Sequence, residues 1–547
     1  MIDFHVILWG FVLRVGQALI EASPTILCGF VVAAIFRRMV PVEATRKLFG
    51  SDSWTSLPRA WLIGTLLPVC SFGVIPVARE LRRAGVKSGT VLTFALTAPL
   101  LNPLSILYGL TLSDPFVILC FVAASMIVAV IAGYAWNHYF EKTSDTLPAE
   151  PEPMPAWGLQ RLAVVGVTAS REMAGPTLLY IMIGLIGVGV VSTCIPAGAL
   201  QPTMMHGDWT AQPLMAAVSL PAYAPPMKVM MMLGLMFGHG NSVGAAYVLL
   251  VVGAGMNVGL WAWMSGNFGF VRASLWVGVV AVIAVLFGYA AEYPLHFTSI
   301  VIDHTHAFDD FSSPFHAGSG TLAMERVWPK LQEKLAPYEL VSLSVLGVML
   351  LFGTILQVWD RSTNLERWFT GGKTKDLTNQ PFWNRPLSPR FLGVVSLVGL
   401  AVLAVIGAYV YYPDPETVFD EMSRVRANAL VSTKIAFTDK SNPKRQKKEA
   451  EIGMQSLRQM NDWVNKLQVG VYIRKGNLTE QQKTAAEQLQ ASLEVLFDAL
   501  EHGEYAEDHN HDHHHHEDDH HHHEDHKDLL ARAEFAYKRC REVYLPD

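Results

Sequence analysis

The sequence predicts an all-α, polytopic membrane protein that carries a helical domain outside the bilayer. Three observations lead there. The 547 residues are 51% hydrophobic and only 16% charged, a balance that excludes an ordinary soluble enzyme. Near-charge-free runs of roughly 20 residues, each enough for one bilayer crossing, recur along the first three quarters of the chain. After Tyr412 the composition turns abruptly charged and helical in pattern.

In chain order, the runs are Trp9 to Phe36, Ser88 to Leu110, Phe116 to Trp136, Thr177 to Ile195, Val243 to Met264, Ala273 to Ala290, Leu340 to Val358 and Phe391 to Tyr411. The first has neither a basic n-region nor a small-residue cleavage pattern ahead of it, so it reads as an uncleaved span. Between the first two lies LPVCSFGVIPVARELRRAGVKSGTVLTFALTAPLLNP, Leu67 to Pro103, in which Pro68, Gly73 and Pro76 fall within nine positions. Proline removes a backbone donor and clashes with the preceding turn. One helix is therefore expected to stop near Cys70 and a second to leave after Pro76, as a broken, re-entrant hairpin. Irregular backbone at membrane depth needs a cavity or surrounding protein to satisfy its polar groups, and transporters use such breaks to present them to cargo.

The pattern recurs. Glu21-Ala-Ser-Pro24 is echoed by Glu172-Met-Ala-Gly-Pro176, which follows an expected loop from Glu141 to Arg171. Gly85 and Gly89 precede Asn102 at the spacing at which Gly240 and Gly244 precede Asn257. Leu67-Pro68 is answered by Leu220-Pro221, followed by Pro225-Pro226. Two membrane repeats are expected, 1–140 and 161–290, joined by a cytoplasmic linker at 141–160. Three spans and a re-entrant hairpin per repeat make the crossings odd, so the repeats should be inverted. If the hairpins do not cross, the basic clusters Arg37 to Arg59, Arg79 to Lys87 and Arg361 to Arg390 share one side, and the positive-inside rule makes it cytoplasmic. The expected location is the inner membrane, with 291–337 facing outward, two additional spans in 338–412, and an extracytoplasmic domain at 413–547. Helical segments near Pro415 to Ile435, Lys447 to Ile473, Thr479 to Glu501 and Asp528 to Tyr544 suggest a bundle. Asn477-Leu-Thr-Glu480 offers a cap signal and Lys444 to Lys448 a polar turn.

Of the five cysteines, too widely spaced for a disulfide or zinc framework, Cys70 sits with Ser71 at the helix break. Deprotonated, its thiol suits thiophilic metals or metalloids; undisturbed, it is a small hydrophobe. Asn102 and Asn257, matched in the repeat, either line a central site or glue helices together. Glu21 and Glu172, near span ends, either carry coupling protons or reach interfacial water. With Pro68, Gly73, Pro76 and Pro221 these residues make up the expected substrate pathway. Two outward segments carry metal-binding chemistry. The first is Asp303 to Asp310, with His304, His306 and Asp309. The second is the tract 507–528, with His509, His511, His513, His514, His515, His516, His520, His521, His522, His523 and His526. Divalent zinc, copper, nickel or cobalt is expected to bind there, though no cofactor is required. No pattern of nucleophile and base points to an enzyme, and nothing points to nucleic acid.

The motif P-V-C-S-F-G-V-I-P-V-A, followed by L-R-R-A-G and a small-residue helix ending P-L-L-N-P, resembles the signature of a predicted permease family that includes organoarsenical efflux permeases (YraQ-like, ArsP-type). The likeness covers roughly Trp9 to Tyr289. It implies a two-repeat inner-membrane permease with Cys70 as the motif cysteine; the family pattern reads C-S-C-G, and here Phe72 stands at the second cysteine. The resulting expectation is a secondary transporter exporting a metal ion, metalloid or organoarsenical. The alternative is a metal-sensing or metal-storage membrane protein whose His-rich exported domain is the working part.

Overall fold

The structure, a computed structural model, describes residues 4–50, 55–142, 158–295 apart from 113, 196–198, 201–203 and 239–240, then 337–360, a few positions between 365 and 409, 412–438, 442–501 and 526–546. Among these the regular structure is helical, with a single isolated β-bridge between Met205 and Asn241. The chain divides into two units, Met1–Phe297 with His304–Ala404, and Thr298–Asp303 with Val405–Asp547.

In the first unit α1 (Phe4–Met39) runs unbroken through Pro24. Proline cannot donate to the carbonyl of Ile20, and the Ser23 hydroxyl does so instead at 2.7 Å. After the short α2 (Val42–Phe49) comes the hairpin of α3 (Ser56–Thr65) and α4 (Val74–Arg83). The expected break is present but displaced. The first helix ends before Pro68, at Thr65, and Pro76 lies inside the first turn of α4, where a missing N–H costs nothing.

The run Ser88 to Leu110 is not one span. It divides into α5 (Ser88–Leu100) and α6 (Pro103–Leu112), because Pro103 drives the residue before it out of the helical region. Next comes α7 (Pro115–Ala135), capped by Asp114, which accepts from Phe116 N at 2.7 Å; a π-turn over Trp136–Phe140 extends it.

The segment expected as a loop up to Arg171 is helical from Gly158. Helices α8 (Gly158–Met173) and α9 (Pro176–Cys194) are bent by 54° relative to one another at Gly175-Pro176. The second hairpin is α10 (Ala211–Ala222) and α11 (Pro226–Gly238). Another 54° bend splits the run Val243 to Met264 into α12 (Val243–Val248, continued by a π-turn to Ala254) and α13 (Val258–Phe268). The helices α14 (Phe270–Glu292) and α15 (Pro337–Trp359) follow. Among the described residues α1, α7, α14 and α15 are long and apolar enough to cross a bilayer, and the two bent pairs make further candidate spans. The last expected span, Phe391 to Tyr411, lies largely outside the described residues.

One contact occurs twice. A Cβ on Gly89 would lie 2.3 Å from the Gly133 carbonyl oxygen, and one on Gly244 would lie 2.3 Å from that of Gly288. The two pairs have the same sequence spacing, so α5 lies on α7 as α12 lies on α14.

The second unit packs α16 (Pro415–Thr438), α17 (Pro443–Lys475), α18 (Glu480–Glu501) and α19 (His526–Tyr544) around a core that includes Met422, Leu457, Leu493 and Cys540. Neighbours in sequence are neighbours in space, and α16 also meets α19. One local expectation needs correcting and another is met. Lys444 to Lys448 is helix, because Asn442 caps Arg445 N at 3.2 Å with Pro443 at the first helical position. The cap of α18 is Thr479, paired reciprocally with Gln482 at 3.2 and 3.1 Å.

Candidate functional site

The irregular stretch Leu66 to Gly73 is held from several sides. Cys70, Ser71 and Phe72 have no exposed surface. Gly73 N–H donates to Cys70 Sγ at 3.4 Å, and Gly73 is pressed against α1 so closely that a Cβ on it would lie 2.3 Å from the carbonyl oxygen of Thr25. On the other side stands the corresponding break of the second hairpin. Tyr223 occupies there the place that Cys70 holds after Leu67-Pro68, and both side chains are enclosed in one buried cluster with Phe72. Its φ of 45° is the only positive value at a non-glycine residue among those described, strain of the kind that clusters at functional sites. The Tyr223 ring also packs on Phe72, with centroids 4.5 Å apart.

The third break closes the site. Asn257 caps α13, its Oδ1 accepting from Leu260 N at 2.7 Å, while its Nδ2 donates to Ser71 Oγ at 2.8 Å. The bend before it is tied to the second hairpin by a 3.0 Å bond from Ala224 N to Gly253 O. Ser71, Tyr223 and Asn257 thus bring three interrupted helices to one buried, polar spot. Cys28 lies on α1 next to Gly29, the residue that packs on Gly73.

The remaining expected residues fall into place around this centre. Pro68 is half-buried in the break, Pro76 is buried in α4, and Pro221 ends α10. Asn102 does not reach the centre through the contacts of its side chain; it caps α6, accepting from Ser105 N at 2.8 Å. Its break is nonetheless adjacent, because Leu96 and Leu100 of α5 lie against Gly255. Glu21 and Glu172 are not open to interfacial water, each being under a tenth exposed. Glu21 pairs with Lys228 of α11 and accepts from Gln17 at 2.7 Å. Glu172 pairs with Arg79 of α4 and accepts from Thr177 at 2.7 Å.

Among the described residues no three His, Cys, Asp or Glu side chains converge as a metal site. His304, His306, Asp309 and the tract from His509 through His523 lie outside those residues, and His526 begins α19.

Sequence reasoning missed Tyr223, although matching the two Leu-Pro pairs would have aligned it with Cys70. It also missed Glu292, where five donors converge on one buried carboxylate: His206 Nδ1 at 2.8 Å, Gly207 N at 3.4 Å, Gln212 Nε2 at 3.1 Å, Ser242 Oγ at 2.7 Å and Gly244 N at 2.8 Å.

The UPF0718 protein YcgR of Bacillus subtilis is 35% identical over 86 residues, 16% of this chain and 29% of YcgR. The UPF0718 protein MJ0584 of Methanocaldococcus jannaschii is 20% identical over 330 residues, covering 49% of this chain and 90% of that protein. The UPF0718 protein YraQ of Escherichia coli is 25% identical over 237 residues, 37% of this chain and 67% of YraQ. No solved structure matches the chain. The family described as predicted permease matches residues 9–293, the stretch that contains all three breaks, and the chain is a multi-pass membrane protein belonging to that family.

Proposed function

We propose that this permease is a secondary transporter that exports a metal ion or a metalloid species, organoarsenicals included, along a path between two inverted repeats. The single observation that carries the reading is the burial of Cys70 where the two hairpin breaks meet. A thiol is the softest donor a side chain offers, and here it is buried in one cluster with Tyr223, next in sequence to the Ser71 that pairs with Asn257. Together they supply one soft ligand and several neutral polar ones. The recurrence of the Gly89–Gly133 contact at Gly244–Gly288 supports a duplicated unit. The basic side chains around Arg37 and Arg79 support placing that end in the cytoplasm of a cell with an inner membrane. The domain from 413 onward would then lie outside, where its His-rich tract gathers zinc, copper, nickel or cobalt.

The test is metal and metalloid content of cells with and without the gene, across a panel that includes trivalent arsenicals, followed by uptake into inverted vesicles. Cys70→Ser keeps the shape and polarity of the site but removes the soft donor. It is expected to weaken apparent affinity for a thiophilic cargo about tenfold or more, the equivalent of roughly 1.4 kcal/mol. Unchanged transport of every thiophilic cargo in that variant would remove Cys70 from the path.

A further inference from the structure

Glu21 and Glu172, the matched carboxylates of the two repeats, are each joined to a cation from the hairpin of the other repeat. Glu21 of α1 takes Lys228 of the second hairpin, and Glu172 of α8 takes Arg79 of the first. The second pair is reinforced by Arg37 at 3.9 Å and Arg83 at 4.0 Å. Both bind a first span to the far arm of a hairpin, and both are largely buried.

Their spacing along α1 is informative. Glu21 marks one pair and Arg37 reaches the other, sixteen residues on, about 24 Å at 1.5 Å per residue. Gly29, which packs on Gly73 of the central break, is about 12 Å from each. A second helix confirms the separation. Ser23, beside Glu21, donates to the Glu339 carbonyl near the start of α15 at 2.9 Å, while Arg171, beside Glu172, bonds Asp360 just past its end at 2.8 Å. One pair therefore lies on each side of the buried Cys70–Tyr223 centre, nearly a full helix apart.

We infer that the two ion pairs are the gates of the passage, one for each face of the membrane, and that the arrangement with both closed is the occluded state. This rests on the permease reading above. Losing Lys228 takes from the buried Glu21 the cation paired with it, and losing Arg79 leaves Glu172 only the longer contacts to Arg37 and Arg83; a buried charge short of compensation is unfavourable. Disrupting a single pair should accordingly favour the state open on that side alone.

The experiment uses the full chain with Cys28, Cys120, Cys194 and Cys540 replaced by alanine, so that Cys70 is the only thiol, in vesicles of defined orientation. A membrane-impermeant methanethiosulfonate is applied from each face in turn. Lys228→Met should raise the labelling rate of Cys70 about tenfold or more from the face of Glu21 only, and Arg79→Met likewise from the opposite face only. The exchanged pair Glu21→Lys with Lys228→Glu should restore protection, which separates a gate from a general loss of structure. Labelling raised from the same face in both variants, from both faces in either, or not at all overturns the proposal, as does a folded exchanged pair that stays open. Because labelling requires no cargo, a negative transport assay with face-specific labelling would overturn the cargo reading and leave the gates standing. Intact transport with symmetric labelling would overturn the gates alone.

Discussion

A methyl group is the smallest probe of how closely the central break is held. A Cβ on Gly29 would lie 2.0 Å from the Gly73 carbonyl oxygen, so α1 and the break touch backbone to backbone. Neither side can yield without moving a helix, and overpacking of this kind costs about 1–3 kcal/mol. Gly29→Ala is therefore expected to lower the thermal midpoint of the detergent-solubilised protein while also reducing transport. Gly166→Ala, where a Cβ meets nothing, should do neither. An unaffected Gly29→Ala protein would mean that the break is looser than this contact requires. At this scale the sequence was legible where a residue announces its own conformation. Proline and glycine marked the break, and the matched spacings singled out Asn102 and Asn257. It was silent on Lys228 and Arg79, whose partners lie far away in the chain and are chosen by packing.

The elements show why the spans were harder to read than the hairpins. A run of twenty apolar residues looks continuous whether or not a helix bends within it, and the bends at Asn102 and Asn257 are made by one capping amide each. The same limitation concealed the relation between Asn137 and Glu292. Asn137 Oδ1 accepts from Gly89 N at 2.9 Å, and Glu292 Oε2 accepts from Gly244 N at 2.8 Å, so side chains at equivalent places anchor the starts of α5 and α12. Since an amide already performs this task at the start of α5, Glu292→Gln should be tolerated, at about 1 kcal/mol. Glu292→Ala strands several buried donors at about 1–3 kcal/mol each and should destabilise by 3 kcal/mol or more, roughly. Thermal midpoints of the two variants decide this. Equal losses would show that the carboxylate charge, and not its acceptor geometry, holds the start of α12.

At the scale of the whole molecule the chain is two units with separate cores, and the second was the easier to foresee, because amphipathic helices with polar connections announce a bundle. Its chemistry is set by burial. Cys540 is fully enclosed, and the loss of water around it pushes its thiol up from the ordinary 9.0 to about 12. Burial also raises Tyr544. A raised pKa means that the folded bundle keeps a proton which the unfolded chain releases above pH 9. The associated stability is thus fully present below that pH and is lost as pH climbs from 9 through about 12. In a chain whose only thiol is Cys540, the alkylation rate of the native protein should show no inflection near pH 9, whereas the urea-unfolded chain should show one there. If native and unfolded protein inflected at the same pH, Cys540 would be reached by water, and the core drawn around it with Leu493 and Tyr537 would have to open on the timescale of the reaction.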